Sequence, residues 1–87
     1  MNDDLPILYV KTNCPYCVEA TKFLRDHGIG HRQIDVLKDS NAFAEMRRKS
    51  GQDKAPVLDW HGEILADFGV EELAPFLLEH GVKMEDS

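Results

Sequence analysis

Residues 7–17 read Ile7-Leu8-Tyr9-Val10-Lys11-Thr12-Asn13-Cys14-Pro15-Tyr16-Cys17, and the fold is decided in this stretch. Ile7 to Val10 is a short, unbroken apolar run, the pattern of a strand buried on both faces. Proline favours the first position of a helix, so Pro15 makes Cys14 the N-cap of the element that follows. From there Cys17, Ala20, Thr21, Leu24 and Gly28 recur at helical spacing, with Glu19, Lys22, Arg25 and Asp26 mostly on the other side. Gly28 or Gly30 is the expected stop. A buried strand therefore turns into a helix, and two cysteines three positions apart lie at the junction.

Working outward, His31 to Val36 predicts a second strand. A second helix follows, with Ser40 as cap, Phe43 and Met46 on its apolar stripe and Gly51 as stop. Arg47-Arg48-Lys49 falls in its last turn, where cations suit the dipole. Val57 to Trp60 and Glu63 to Leu65 read as strands joined at His61-Gly62. A last helix carries Val70, Leu73 and Leu77, with Glu71 and Glu72 placed for its N-terminal dipole. Pro75 falls inside it and removes a hydrogen bond at a cost of about 3 kcal/mol, so a bend or a later start is expected. The order β-α-β-α-β-β-α predicts an α/β, thioredoxin-like fold: a four-stranded mixed sheet flanked by three helices. No repeat, linker or low-complexity tract interrupts it, so residues 1–87 read as a single domain.

With 43% hydrophobic and 30% charged residues, the chain can bury a core and need not be disordered. Its formal net charge of −6 argues against a nucleic-acid partner, which would require a basic patch. Asn2, Asp3 and Asp4 are acidic or neutral where a leader would be basic, and the apolar run from Leu5 is short and broken by Pro6. No stretch approaches the roughly 20 apolar residues of a membrane span. The expectation is a soluble, monomeric, cytoplasmic protein, in a compartment where thiols stay reduced and a Cys-x-x-Cys pair is seldom structural.

A helix N-terminus presents unpaired N–H groups and the positive end of the dipole, which favour a thiolate over a thiol at Cys14. Lys11 is either an added positive charge near that sulfur or an ordinary charged strand end. Cys17 lies one turn further in on the same face, where it is more sheltered and within reach of the Cys14 sulfur. The pair reads as nucleophile and resolver: Cys14 attacks a disulfide, and Cys17 displaces the substrate thiol. Tyr16 between them is either a flat wall for the substrate or an exposed spacer. A zinc site needs about four ligands. His27, His31, His61 and His80 lack finger spacing, and Gly28 and Gly30 separate the first two, so no metal is expected.

The segment Lys11-Thr12-Asn13-Cys14-Pro15-Tyr16-Cys17-Val18-Glu19-Ala20 resembles the active-site segment of dithiol glutaredoxins, including the Pro-Tyr pair between the cysteines. Gln33-Ile34-Asp35-Val36 is similar to the family's second strand. Ser50-Gly51-Gln52-Asp53-Lys54-Ala55-Pro56 has the length of its Thr-Gly-Gln-Arg-Thr-Val-Pro segment. Spanning about residues 5–80, the resemblance implies a thiol–disulfide oxidoreductase of electron transport and cell redox homeostasis. It would use glutathione as reductant and reduce protein disulfides and glutathione mixed disulfides. The resemblance also implies that Pro56 is a cis-proline beside the dithiol and that Ala55 offers its backbone to the bound thiol compound. Lys11 and Gln52 would hold the glycine carboxylate of glutathione. Asp53-Lys54-Ala55 departs from the family's Arg-Thr-Val by exchanging a cation for an anion. The family's Gly-Gly-x-Asp, which holds the γ-glutamyl end, corresponds to Asp67-Phe68-Gly69-Val70-Glu71, where one glycine matches, Gly69, and Phe68 stands in place of the other. The stretch Leu58 to Ala66 is about two residues longer than usual. This part also resembles the N-terminal domain of glutathione transferases, with Asp67 at an acidic or amide position and Phe68 in place of a serine.

Those departures motivate an alternative: a redoxin of the same shape, reduced by thioredoxin reductase or serving one dedicated partner. A remoter alternative is an iron–sulfur cluster or metal carrier, against which the second cysteine and Pro15 both speak.

Overall fold

A computed structural model describes residues 5–82; residues 1–4 and 83–87, Asn2, Asp3 and Asp4 among them, lie outside the described residues. The elements run β1 (Ile7–Val10), α1 (Pro15–Asp26), β2 (Arg32–Asp35), α2 (Ser40–Ser50), β3 (Val57–Trp60), β4 (Glu63–Ala66) and α3 (Val70–Glu79). The sheet order is β2-β1-β3-β4. β1 pairs parallel with β2 (Val10 opposite Asp35) and antiparallel with β3 (Leu8 opposite Leu58), while β3 and β4 form an antiparallel hairpin. The expected order and mixed sheet are both present.

Strand alternation divides the core in two. Leu8 and Val10 of β1 face one layer with Leu24 of α1 and Leu73 and Leu77 of α3, whereas Tyr9 faces Ala42 and Met46 of α2 on the other. Leu8, Tyr9 and Val10 are all buried, as the continuous apolar run requires of a central strand.

Several boundaries differ from the sequence expectation. α2 is capped by Asp39, not Ser40: the Asp39 carboxylate accepts from the Ala42 N–H at 3.1 Å, and Ser40 becomes the first helical residue. β2 is shorter at both ends than His31–Val36. α1 closes at Asp26 with His27 as cap, β4 extends to Ala66, and Gly51 ends α2 in the left-handed region at φ 74°. α3 begins at Val70 and runs through Pro75, so its start is not late. Burial of Leu73 and Leu77 on either side of the proline, each contributing about 1.5–3 kcal/mol, offsets the lost backbone bond.

One polar network ties α2 to the sheet. Lys49 Nζ donates to Asp59 Oδ2 on β3 at 2.7 Å and to the Tyr9 hydroxyl on β1 at 2.8 Å, and that hydroxyl donates to Glu45 at 3.0 Å. Burial works against the Asp59 carboxylate. The Lys49 ammonium and the Gly62 N–H nevertheless hold it below the usual carboxylate range. Its contribution to stability is therefore full above the unfolded value, near 3.9, and is lost as pH falls through the lower folded value. Lys49→Met should destabilise the protein by about 1–3 kcal/mol at pH 7, the cost of stranding part-buried polar groups. In urea titrations that difference should shrink below about pH 4, where Asp59 becomes protonated in the variant.

Candidate active site

The β1–α1 turn is built to present a sulfur. Asn13 adopts φ 64°, a left-handed conformation that asparagine tolerates better than most residues, and the chain enters α1 with Cys14 in extended geometry at the N-cap. Pro15 follows at the first helical position, where its missing N–H costs nothing. The Cys17 N–H donates to Cys14 Sγ at 3.2 Å, so a sulfur fills the capping role usually given to an oxygen. That is a site for negative charge.

Cys14 is half-buried, whereas Cys17 is 2% exposed and packs in the core layer between the sheet and helices α1 and α3. Both cysteines are free thiols. Desolvation, followed by the hydrogen bond with Cys14, pushes the Cys17 thiol up to about 12. The two sulfurs are thus unlike: one is capped and reachable, the other sheltered and held as a thiol.

Across from the dithiol, the Ala55–Pro56 bond is cis, and the Ala55 carbonyl lies 4.0 Å from Cys14 Sγ. The structure therefore brings Pro56 and Ala55 to the cysteines. Lys11 and Gln52 are both engaged with this loop's own atoms. Lys11 Nζ donates to the Asp53 carbonyl at 2.8 Å and lies 5.2 Å from the centre of the Phe43 ring. The Gln52 side chain donates to Ser50 Oγ and the Lys54 carbonyl and accepts from the Lys54 N–H at 2.6 Å.

Tyr16 is 59% exposed and forms one wall of a cavity of about 230 Å³ with Asp67, Phe68, Gly69, Glu71 and Glu72. The Phe68 side chain is 3% exposed and belongs to the core, leaving only its backbone for a ligand. Asp67 adopts φ 52° and its N–H donates to the Pro56 carbonyl at 2.9 Å, which ties this turn to the cis-proline loop. Gly69 caps α3. Its N–H donates to Glu72 Oε1 at 2.7 Å, and a Cβ there would lie 2.7 Å from Glu71 Oε1 and 3.7 Å from the Tyr16 ring. The chain's own carboxylates thus cover the N-terminus of α3.

A second, larger groove of about 640 Å³ opens on the other side of Cys17 and includes Thr12, Thr21 and Asp35. Thr12 and Asp35 were not among the residues expected from the sequence; the signal was Asp35 two residues before Leu37, the spacing of a side chain that caps its own turn. No group of three or more His, Cys, Asp or Glu side chains among the described residues is arranged to hold a metal ion. No helix among them is long and apolar enough to cross a membrane.

A mixed sheet carrying a Cys-x-x-Cys pair at a helix N-terminus, opposite a cis-proline, defines a dithiol protein of thioredoxin-like fold. The Glutaredoxin family model matches residues 7–65, and the chain belongs to the glutaredoxin family, a class of thiol–disulfide oxidoreductases. It is 42% identical over 50 residues to a glutaredoxin of Neisseria meningitidis, a match covering 56% of this chain and 59% of that protein. An uncharacterised glutaredoxin-like 8.6 kDa protein of Clostridium pasteurianum is 29% identical over 66 residues, 76% of this chain and 88% of its own. Among solved structures, the thioredoxin-like protein BC3987 superposes with a TM-score of 0.76 at 28% identity, covering 83% of this chain and 99% of that one.

Proposed function

We propose that this chain catalyses thiol–disulfide exchange with glutathione as reductant, acting on protein disulfides and glutathione mixed disulfides through Cys14 and Cys17. The observation that carries the reading is the asymmetry of the pair: a half-buried sulfur capping a helix, and a buried thiol one turn behind it. Cys14 attacks a substrate disulfide; the Cys14–S bond forms, the substrate S–S bond breaks, and the departing thiolate takes a proton from water. Cys17 then loses its proton and attacks the Cys14 sulfur, forming the Cys14–Cys17 bond and releasing the second substrate thiol. Two glutathiones return the pair to the dithiol and leave as one glutathione disulfide. On a glutathionylated substrate Cys14 alone suffices: it takes the glutathionyl group, and a second glutathione removes it. Ala55, beside the sulfur, supplies backbone to align the bound chain.

Family membership supports glutathione as the reductant, and a Cys-x-x-Cys pair at a helix N-terminus, placed for exchange chemistry, suits a cytoplasmic setting where thiols stay reduced. The test is turnover of a small glutathione mixed disulfide with glutathione, glutathione reductase and NADPH, beside a parallel arm with thioredoxin reductase. Turnover in the first arm is the expected result; none in either arm would contradict the reading.

The covered N-terminus of α3 favours a second reading: a redoxin of the same chemistry reduced by thioredoxin reductase or by a dedicated partner. The family resemblance puts the γ-glutamyl end of glutathione there, and the α-carboxylate of that zwitterionic end would meet Glu71 and Glu72, which already lie at the helix N-terminus. Activity confined to the thioredoxin reductase arm would establish this reading. In the glutathione arm, the double change Glu71→Gln, Glu72→Gln keeps an amide oxygen for the Gly69 N–H and removes two charges. It should lower KM for the mixed disulfide roughly threefold, in line with a few tenths of a kcal/mol per charge at a helix terminus. An unchanged KM would show that the glutamates do not oppose the substrate.

A further inference from the structure

Cys17 has two sides. One meets Cys14; the other forms part of the 640 Å³ groove, whose opposite rim is the end of β2. There the Asp35 carboxylate is held on both oxygens. Thr12 Oγ1 donates to Oδ2, and the Leu37 N–H donates to Oδ1 at 2.9 Å. The β1–β2 pairing sets Asp35 opposite Val10, just before the turn that carries the dithiol. The carboxylate is thus a fixed anion on the groove that the resolving cysteine also lines; Lys38 is the cation whose charge acts on it, and no cation of the groove is hydrogen-bonded to it among the described contacts.

We propose that Asp35 is a positioning residue that acts as an electrostatic brake on Cys17, setting how fast the mixed disulfide on Cys14 is resolved. The inference rests on the exchange reaction proposed above and concerns its second half. To attack Cys14, Cys17 must give up its proton and carry negative charge on sulfur while the Cys14–substrate bond breaks. A fixed anion across a water-accessible groove raises the cost of that charge. The Thr12 hydrogen bond keeps Asp35 ionised, below the usual carboxylate range, so the brake is on throughout the neutral range. Desolvation is the largest contribution to the high value of Cys17, followed by the hydrogen bond with Cys14; a backbone hydrogen bond from Lys11 works the other way, and the charges of Cys14 and, least, Asp35 add to it. The other charged side chains on the groove are Lys22, Arg25 and Asp26 from α1, Lys11 beyond β1 and Lys38 beyond β2. Lys22 is paired with Asp26 at 2.6 Å, and the Lys11 ammonium is bound to the Asp53 carbonyl. A slow second step prolongs the mixed disulfide and so leaves time for glutathione to remove the adduct by the one-cysteine route.

Asp35→Asn tests this without dismantling the turn, because an asparagine oxygen still accepts from the Leu37 N–H. The protein is loaded on Cys14 with a glutathionyl group from oxidised glutathione. Resolution is then followed by acid quench and intact mass as the adduct gives way to the internal disulfide, across pH. Asp35→Asn should resolve roughly threefold faster at pH 7, with its rate profile displaced to lower pH, as expected for removing one solvent-screened charge. Asp35→Glu should restore the slow rate, and raising salt should speed the wild-type protein towards the Asn variant. If wild type and Asp35→Asn share one rate and one pH profile, or if salt leaves the wild-type rate unchanged, the brake is refuted. If the wild-type protein forms neither adduct nor internal disulfide, the exchange reading itself fails.

Discussion

Cys14→Ser should reduce turnover to the uncatalysed background with every disulfide substrate, a loss on the order of 10³-fold or more. The change removes the sulfur that caps the helix and, of the two cysteines, the one more open to a substrate. A hydroxyl at this position cannot form the mixed disulfide on which both routes depend. The fold should survive, because serine is a preferred N-cap and its oxygen can accept the Cys17 N–H that the sulfur accepts now. A coupled NADPH assay beside a urea titration separates the two effects: activity vanishes while the unfolding midpoint holds.

Replacing Cys17 should split the activities instead. Protein disulfides need the second sulfur to release the product, so their reduction should fall by about 100-fold or more, while deglutathionylation of a small substrate persists. Cys17→Ala is the better variant for this purpose. Cys17 is buried among Leu24, Leu73 and other core residues, and a serine hydroxyl there would cost about 1–3 kcal/mol without a partner. Alanine leaves a small cavity but no unsatisfied polar group. Full retention of both activities would remove Cys17 from the mechanism.

The dithiol was legible because its chemistry is local. Strand, turn, N-cap, Pro15 and both cysteines lie within residues 7–17, and short-range rules assign each a role. The order of elements and the mixed four-stranded sheet followed as well, since a strand–helix–strand unit and a hairpin leave few ways to pair. Less legible was what depends on distant partners. Lys11 read either as a charge for Cys14 or as an ordinary strand end, and its ammonium is bonded to a carbonyl 42 residues further along. Pro75 read as a helix breaker, but tertiary burial of Leu73 and Leu77 overrides it. The choice of Asp39 over Ser40 as cap is a competition between two good capping residues, decided by which one takes extended backbone. Phe68 read as a replacement for a ligand-binding residue; its side chain is a core residue, and the turn it occupies serves to place Gly69 beside Tyr16.

The same distinction separates the two sides of the dithiol. The side towards Ala55 and Pro56 carries the features that the family resemblance implies. On the other side, Thr12 and Asp35 come from two separate segments of that resemblance, and their contact emerges only when β2 is laid beside β1.

The central claim is that Cys14 forms a covalent mixed disulfide and Cys17 resolves it. The most direct measurement is intact mass and peptide mapping of the Cys17→Ala protein after brief exposure to oxidised glutathione and acid quench, beside the wild-type protein treated alike. One glutathionyl group on Cys14 of the variant, and a Cys14–Cys17 disulfide in the wild type, is the predicted result. An unmodified variant, or a wild type whose adduct never gives way to the internal disulfide on longer incubation, would contradict the account.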